Sequence, residues 1–260
     1  MASLRKGWRI QVRVIGALMS RELTTRYGRE NIGFLWVMAE PLLFAGLVSI
    51  VWSYMKGPAE HGVAVVAFVI SGYLPLTFLR NSIGRCTSIF LANGSLMYHR
   101  QIRILDFVFV RVLIEMIGCM MAYVFIGVVL GYLGYFPMPA NLGFLIAGWL
   151  FYALFVLSLC FIIAPLSEMS EVLEKVLPVT TYIAIPFSGT FTMMSWLSPT
   201  ARDVLWWSPM VTAIEMMRFG LFGDAVRPYY DIRVPIAFSL IFSLVGLAMC
   251  RYVRRTLAVQ

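Results

Sequence analysis

Residues 21–41 read RELTTRYGRENIGFLWVMAEP, a cationic polar stretch that runs directly into an apolar one. Arg21, Arg26 and Arg29 stand before the junction, and Glu40 with Pro41 lies inside the apolar run. A carboxylate within a hydrocarbon layer is tolerated where it faces other helices or water, so Glu40 marks a bundle interior. The junction therefore reads as the point where the chain enters a membrane from its basic side.

Downstream of it, apolar runs near the ~20 residues needed to cross a bilayer core fall at 33–54, 62–91, 107–134, 142–165, 172–194 and 233–252. They are continuous, which excludes the short alternating strands of a membrane barrel. Composition agrees: 60% of residues are hydrophobic and 13% charged, against roughly 25% charged in soluble proteins, and the mean hydropathy is +0.83. No short apolar core followed by a small-residue cleavage site opens the chain, so no cleavable signal peptide is expected.

The formal charge of +8 follows topology. Arg5, Lys6, Arg9 and Arg13 add to the arginines before the first run, Arg100 and Arg103 lie between the second and third, and Arg251, Arg254 and Arg255 follow the last. The positive-inside rule puts all three regions, and both termini, in the cytoplasm. The excess of basic residues thus needs no nucleic-acid partner.

Upstream, Leu4, Trp8, Val12, Ile15, Met19 and Leu23 share an arc of roughly 100° on a helix, with Arg5, Arg9 and Arg13 stacked beside them. This pattern suits a helix lying on the cytoplasmic leaflet. Ile10, Val14 and Leu18 fall outside the arc, and this second face is left to meet protein. The segment 195–233 is broken by Pro199, Pro209, Gly220, Gly223 and Pro228. With six spans and both termini inside, it must enter and leave on the outer side, and its short apolar pieces read as two re-entrant helices over 195–217.

The fold expected is an all-α integral membrane protein with six transmembrane helices. An amphipathic interface helix occupies 1–32, a six-span domain occupies 33–260, and the re-entrant segment lies between the fifth and sixth spans. Residues 92–106 open with Asn93-Gly94-Ser95, a turn and N-cap signal, and present a short cytoplasmic helix open to a docking role. In the other inside loop Glu168, Glu171 and Glu174 recur at i+3 spacing, as helix-capping acids or as a partner contact.

No phosphate loop, HExxH, CxxC or paired-aspartate metal site occurs, and His61 and His99 are isolated. Cys86, Cys119, Cys160 and Cys250 sit far apart in apolar runs, as buried thiols do. No covalent chemistry is expected, no metal and no cofactor in this chain, so energy for transport must come from a gradient or another subunit. The intramembrane charges are Glu40, Arg80, Arg85, Arg111 and Glu115. Glu40 and Arg85 lie at a similar depth of roughly 10 Å, with Arg80 and Glu115 deeper. Three arginines against two glutamates leave a cation for an anionic substrate, or the group is a structural salt-bridge cluster. Tyr182, Phe187, Phe191, Trp196, Trp206 and Trp207 crowd the outer half of the fifth run and the broken segment, where they serve as sugar-stacking faces or as an interface belt.

Four stretches in order now carry a resemblance. The entry motif places Arg21, Glu22, Arg26, Gly33, Leu35, Trp36, Glu40 and Pro41; YHRQIRILDFVFVRVLIE spans 98–115; SEMSEVLEKVLP spans 167–178; WWSPMVTAIEMMRFGLFG spans 206–223. Over nearly its whole length the chain resembles the permease subunit of type-two ABC exporters, in the branch that exports capsular polysaccharide from Gram-negative bacteria. The resemblance implies a non-enzymatic, channel-forming homodimer in the inner membrane. Two copies of a separate ATPase would bind ATP and Mg, and a lipid-linked anionic polysaccharide would pass along the dimer axis. A periplasmic co-polymerase and an outer-membrane export protein are the usual further partners. It also implies that the loop 93–104, through Tyr98, His99, Arg100, Ile102 and Arg103, couples to the ATPase, with Glu168 and Glu171 alongside. Ser208-Pro209 departs from the asparagine-proline of many relatives, and Gln101-Ile102-Arg103-Ile104 lacks a common proline. Alternatives are the same architecture carrying O-antigen, teichoic acid or a small hydrophobic molecule, an intramembrane enzyme of envelope lipid assembly, and a structural scaffold.

Overall fold

The computed structural model describes residues 2–27, 32–57, 59–60, 62–89 and 103–257. Helix α1 (Ala2–Tyr27) precedes α2 (Ile32–Lys56) and a two-stranded antiparallel hairpin, β1 (Ala59–Glu60) with β2 (Val63–Ala64), in which Glu60 pairs with Val63. Then come α3 (Val65–Thr87), α4 (Ile104–Tyr132), α5 (Leu142–Met169), α6 (Glu171–Ile183), α7 (Pro199–Leu205), α8 (Pro209–Phe222) and α9 (Arg233–Leu257), with 3₁₀ turns at Met194–Trp196 and Gly223–Ala225.

Among the described residues four helices are long and apolar enough to cross a membrane: α3, α4, α5 and Arg233–Arg254 of α9. These match the expected runs at 62–91, 107–134, 142–165 and 233–252. Helix α2 adds 25 residues over the expected first run. Helix α3 is central, every residue from Ala67 to Leu79 being buried, and it packs on α2, α4, α5, α6 and α8. By contrast α4, α5 and α9 expose Val124, Phe125, Val128, Leu150, Leu154, Leu240 and Leu244. Apolar side chains facing outward from long helices are what a lipid-facing surface requires.

The run at 172–194 differs from expectation. Its helix, α6, has 13 residues and reaches about 20 Å, short of a ~30 Å core. Pro186 cannot donate the amide bond back to Tyr182, residues 184–188 tighten into i→i+3 turns, and Gly189 takes φ +74°. The chain still runs antiparallel to α3, because Tyr182 meets Arg80 and Thr190 meets Gly72. The span is thus half helix and half non-helical backbone.

In the 195–217 region the structure has two helices, α7 and α8, the second reaching Phe222. Each begins with proline behind a serine cap: Ser198 Oγ accepts from the Ala201 amide and Ser208 Oγ from the Val211 amide. Serine thus fills the cap position at 208. Helix α8 is almost wholly buried against α5, and antiparallel to it. A Cβ on Gly220 would stand 2.3 Å from the Leu145 amide nitrogen, and one on Gly148 within 2.8 Å of the Ala213 carbonyl. Glycine on both helices therefore permits backbone contact, the usual means of close packing between buried helices.

Helix α1 divides its faces differently from the expected arc. Val14, Ile15, Leu18, Met19 and Leu23 pack on the bundle core, while Trp8, Ile10 and Val12 are exposed. The bundle side thus takes Val14 and Leu18 from the second face. Glu168 closes α5, and Ser170, in an extended conformation, separates it from Glu171 at the start of α6. The three acids expected on one helix are therefore divided, Glu168 on α5 and Glu171 with Glu174 on α6.

Candidate functional site

Charges collect in two layers, one toward each end of α3. At its C-terminal end α1, α3 and α4 meet. Arg85 lies 3.6 Å from Glu115, whose side chain is buried, while that of Arg85 is half exposed. Arg111 lies 3.2 Å from Glu22 on α1, and its Nη1 donates to the Arg85 carbonyl and to Ser88 Oγ. Gln11 Nε2 donates to Asp106 Oδ1, while Asp106 Oδ2 accepts from the Arg103 amide at 2.9 Å and caps α4. Helix α1 is therefore fastened to α4 by a hydrogen bond and an ion pair as well as by its apolar face. Because the partners are side chains of fixed helices, a displacement of α1 must strain or break these bonds.

Toward the other end of α3 lies a pair the sequence reading did not assign to the site. Arg218 of α8 is completely buried; its Nη1 donates to the carbonyls of Gly189 and Thr192 at 2.8 Å each, its Nη2 to Thr190 at 2.6 Å and its Nε to Ser71 Oγ at 3.4 Å. The guanidinium lies 4.2 Å above the Phe68 ring, and Nη1 is 3.8 Å from Oε1 of Glu215. Glu215 in turn accepts from the Met194 amide. Three carbonyls between 189 and 192 are thus met by one side chain, whose planar fork of donors suits several acceptors at once. Gly72 is required here, since a Cβ would stand 2.2 Å from the Thr190 carbonyl oxygen. An acid and a base three residues apart in an apolar stretch, as in Ile214-Glu-Met-Met-Arg218, was the signal available in the sequence.

Arg80 sits between the layers, half-buried, its guanidinium 4.2 Å from the Tyr182 ring. Among the described residues it forms no ion pair with a carboxylate. Of the expected charged set, Arg85, Arg111 and Glu115 come together, joined by Glu22, which the entry motif contained but which was not assigned to the path. The side chains of Glu40 and Glu171 lie outside the described residues, as do Tyr98, His99, Arg100 and Ile102. Arg103 is exposed at the start of α4, and Glu168 is exposed at the end of α5. The aromatics do not form one face. Phe191 packs at a tilt on Trp52 at 5.4 Å and Trp196 on Phe68 at 4.8 Å, while Tyr182, Phe187 and Trp207 are exposed and Trp206 is half-buried. Among the described residues no cluster of histidine, cysteine, aspartate or glutamate is arranged to hold a metal.

The family model for ABC-2 type transporters matches residues 13–222. The chain belongs to the ABC-2 type transporter family. This family member is 36% identical over 242 residues to the capsule polysaccharide export inner-membrane protein BexB of Haemophilus influenzae, covering 93% of this chain and 91% of that one. It is 37% identical over 240 residues to the capsule polysaccharide export inner-membrane protein CtrC of Neisseria meningitidis serogroup B, covering 92% and 91%. The polysialic acid transport protein KpsM of Escherichia coli is 21% identical over 247 residues, 95% of this chain and 96% of that one. In ABC-2 terms the broken segment, α8 and both charge layers all lie inside the matched region.

Proposed function

We propose that this chain is the channel-forming permease subunit of an ATP-driven exporter, moving lipid-linked anionic capsular polysaccharide across the bacterial inner membrane. The observation that carries this is the 36–37% identity, over nine-tenths of both chains, to two proteins named for capsule polysaccharide export. The chain itself does not hydrolyse ATP; a separate ABC ATPase supplies the energy, two copies serving a permease homodimer. A periplasmic co-polymerase and an outer-membrane export protein continue the path.

Six spans correspond to α2, α3, α4, α5, the broken α6 segment and α9, with both termini cytoplasmic by charge. The re-entrant reading of α7 and α8 is supported by their course. Both the start of α7 and the end of α8 lie toward the α2–α3 hairpin, and the buried α8 rises antiparallel to α5. Unwound backbone at membrane depth is stable against protein, and Arg218 supplies that surface here. The ion pair and hydrogen bond of α1 with α4 make α1 the element through which motion of an ATPase docked near 93–104, with Glu168 and Glu171 beside it, would reach the bundle. Arg80, whose charge is met by an aromatic ring, is the cation best suited to face an anionic cargo.

The test is co-expression with the neighbouring ABC ATPase, reconstitution in liposomes and measurement of ATP hydrolysis with and without lipid-linked capsule polymer. Stimulation by polymer that falls with Arg80→Ala, at unchanged membrane insertion, is the expected result. Failure of the ATPase to associate with the chain overturns the transporter reading.

A further inference from the structure

Beside the hairpin, and at the end of α3 opposite the α1 layer, lies a cleft of about 330 Å³. Its lining includes Met193, Trp196, Arg202, Val226, Arg227 and Tyr229. The size is near the lower end of the roughly 300–1,000 Å³ of small-molecule clefts. Two arginines and two aromatic rings thus stand beside a small apolar side made by Val63, Met193, Ala225 and Val226.

Arg202 is held in place before any ligand arrives. Its Nε donates to the Met194 carbonyl at 3.0 Å, Nη2 to the Leu197 carbonyl at 3.1 Å and Nη1 to the Tyr229 hydroxyl at 3.2 Å. The guanidinium also lies 4.5 Å from the Tyr229 ring. These bonds use three of its five N–H groups, and the Tyr229 hydroxyl, the acceptor of the Nη1 bond, keeps its own proton to donate. Among the described residues no ion pair joins Arg202 or Arg227 to a carboxylate. Trp196 is backed by Phe68 at 4.8 Å. The backbone that holds Arg202 is itself fixed, because the Met194 amide donates to the buried Glu215. The cleft is therefore a preorganised cationic fork beside flat apolar rings.

We propose that this cleft binds one acidic sugar residue of the exported polymer, its carboxylate or phosphate held by Arg202 and Arg227 and its ring against Trp196. Guanidinium forks match planar oxyanions in two-point contact, and aromatic faces match the apolar faces of sugar rings. The proposal rests on the export reading and deepens it: in that reading the cleft opens at the outer mouth, where the polymer leaves. It adds to the path two arginines and a tyrosine outside the intramembrane set.

The test uses the full chain in lipid nanodiscs and ligand-observed saturation-transfer NMR, with glucuronic acid, glucose 6-phosphate and glucose as probes. At least one acidic probe is expected to bind roughly tenfold or more tightly than glucose, as loss of a charge-assisted hydrogen bond implies. Which one binds tells carboxylate from phosphate. Arg227→Gln, on an exposed residue with no bonded partner among the described residues, is expected to remove most of that difference while the protein stays monodisperse. Equal binding of all three probes, no binding, or acidic binding unchanged in Arg227→Gln overturns the proposal. A capsule-export deletion strain carrying the wild-type gene separates the two levels. Capsule restored without probe binding rejects the cleft and keeps the exporter; probe binding without restored capsule keeps the acidic-sugar site and rejects the exporter.

Discussion

Arg218→Leu removes the side chain that donates to three carbonyls in the non-helical half of the fifth segment. Leucine leaves three buried carbonyls, those of Gly189, Thr190 and Thr192, without their donors, and Glu215 without its cation. At about 1–3 kcal/mol for each orphaned acceptor, the carbonyls alone amount to roughly 3–9 kcal/mol. An uncompensated buried charge adds about 3–5 kcal/mol. Relaxation of residues 184–193 and entry of water recover part of this, so the working figure is a loss of about 4–6 kcal/mol. That is a large share of the ~5–15 kcal/mol by which a domain is stable. Thermal unfolding of the purified chain in nanodiscs, followed by intrinsic fluorescence, measures it, and limited proteolysis near 184–193 locates the loosened backbone. Arg218→Lys keeps the charge but not the fork and is expected to fall between. Glu215→Gln added to Arg218→Leu relieves the buried charge and recovers part of the loss, a coupling that separates the pair from the carbonyls. A midpoint for Arg218→Leu within about 2 °C of wild type would refute the account, since that shift corresponds to no more than about 1 kcal/mol.

Gly72→Val places a side chain where even a Cβ would stand 2.2 Å from the Thr190 oxygen, so it is expected to lower the melting midpoint and expose 184–193 to protease, whereas Gly84→Ala, where a Cβ meets nothing within 4 Å, leaves both unchanged. Glu22→Arg alone sets two cations together at the α1–α4 contact and is expected to reduce polymer-stimulated ATP hydrolysis; adding Arg111→Glu restores the pair, and recovery of activity in the double variant is the measurement. Ser208→Ala deletes the cap of α8 and is expected to destabilise the chain by about 1 kcal/mol, while Ser208→Asn is neutral, both read from thermal unfolding.

Much of the architecture was legible along the chain because a helix in lipid must be apolar along its length. The runs at 62–91, 107–134, 142–165 and 233–252 therefore announced α3, α4, α5 and α9. The serine caps before Pro199 and Pro209 act within a few residues, yet the two prolines stood in the sequence only as breaks, and the structure shows that each opens a helix. The fifth run misled for a related reason. Hydropathy counts apolar side chains and is blind to backbone, so 172–194 looked like one helix although Pro186 and Gly189 break it.

The sequence by itself determined a helical membrane protein, its basic and non-basic sides, and the residues able to carry charge inside it. These follow from solvation and from helical period, which each segment obeys alone. The tertiary structure decided who meets whom: Arg111 takes Glu22 from a helix 89 positions earlier, Glu115 takes Arg85, and Arg218 takes three carbonyls near 190. Several pairings of the same charges satisfy composition and depth equally. Only the packing of α1, α3, α4 and α8, through close contacts such as Gly72 and Gly220, brings one set within hydrogen-bonding distance.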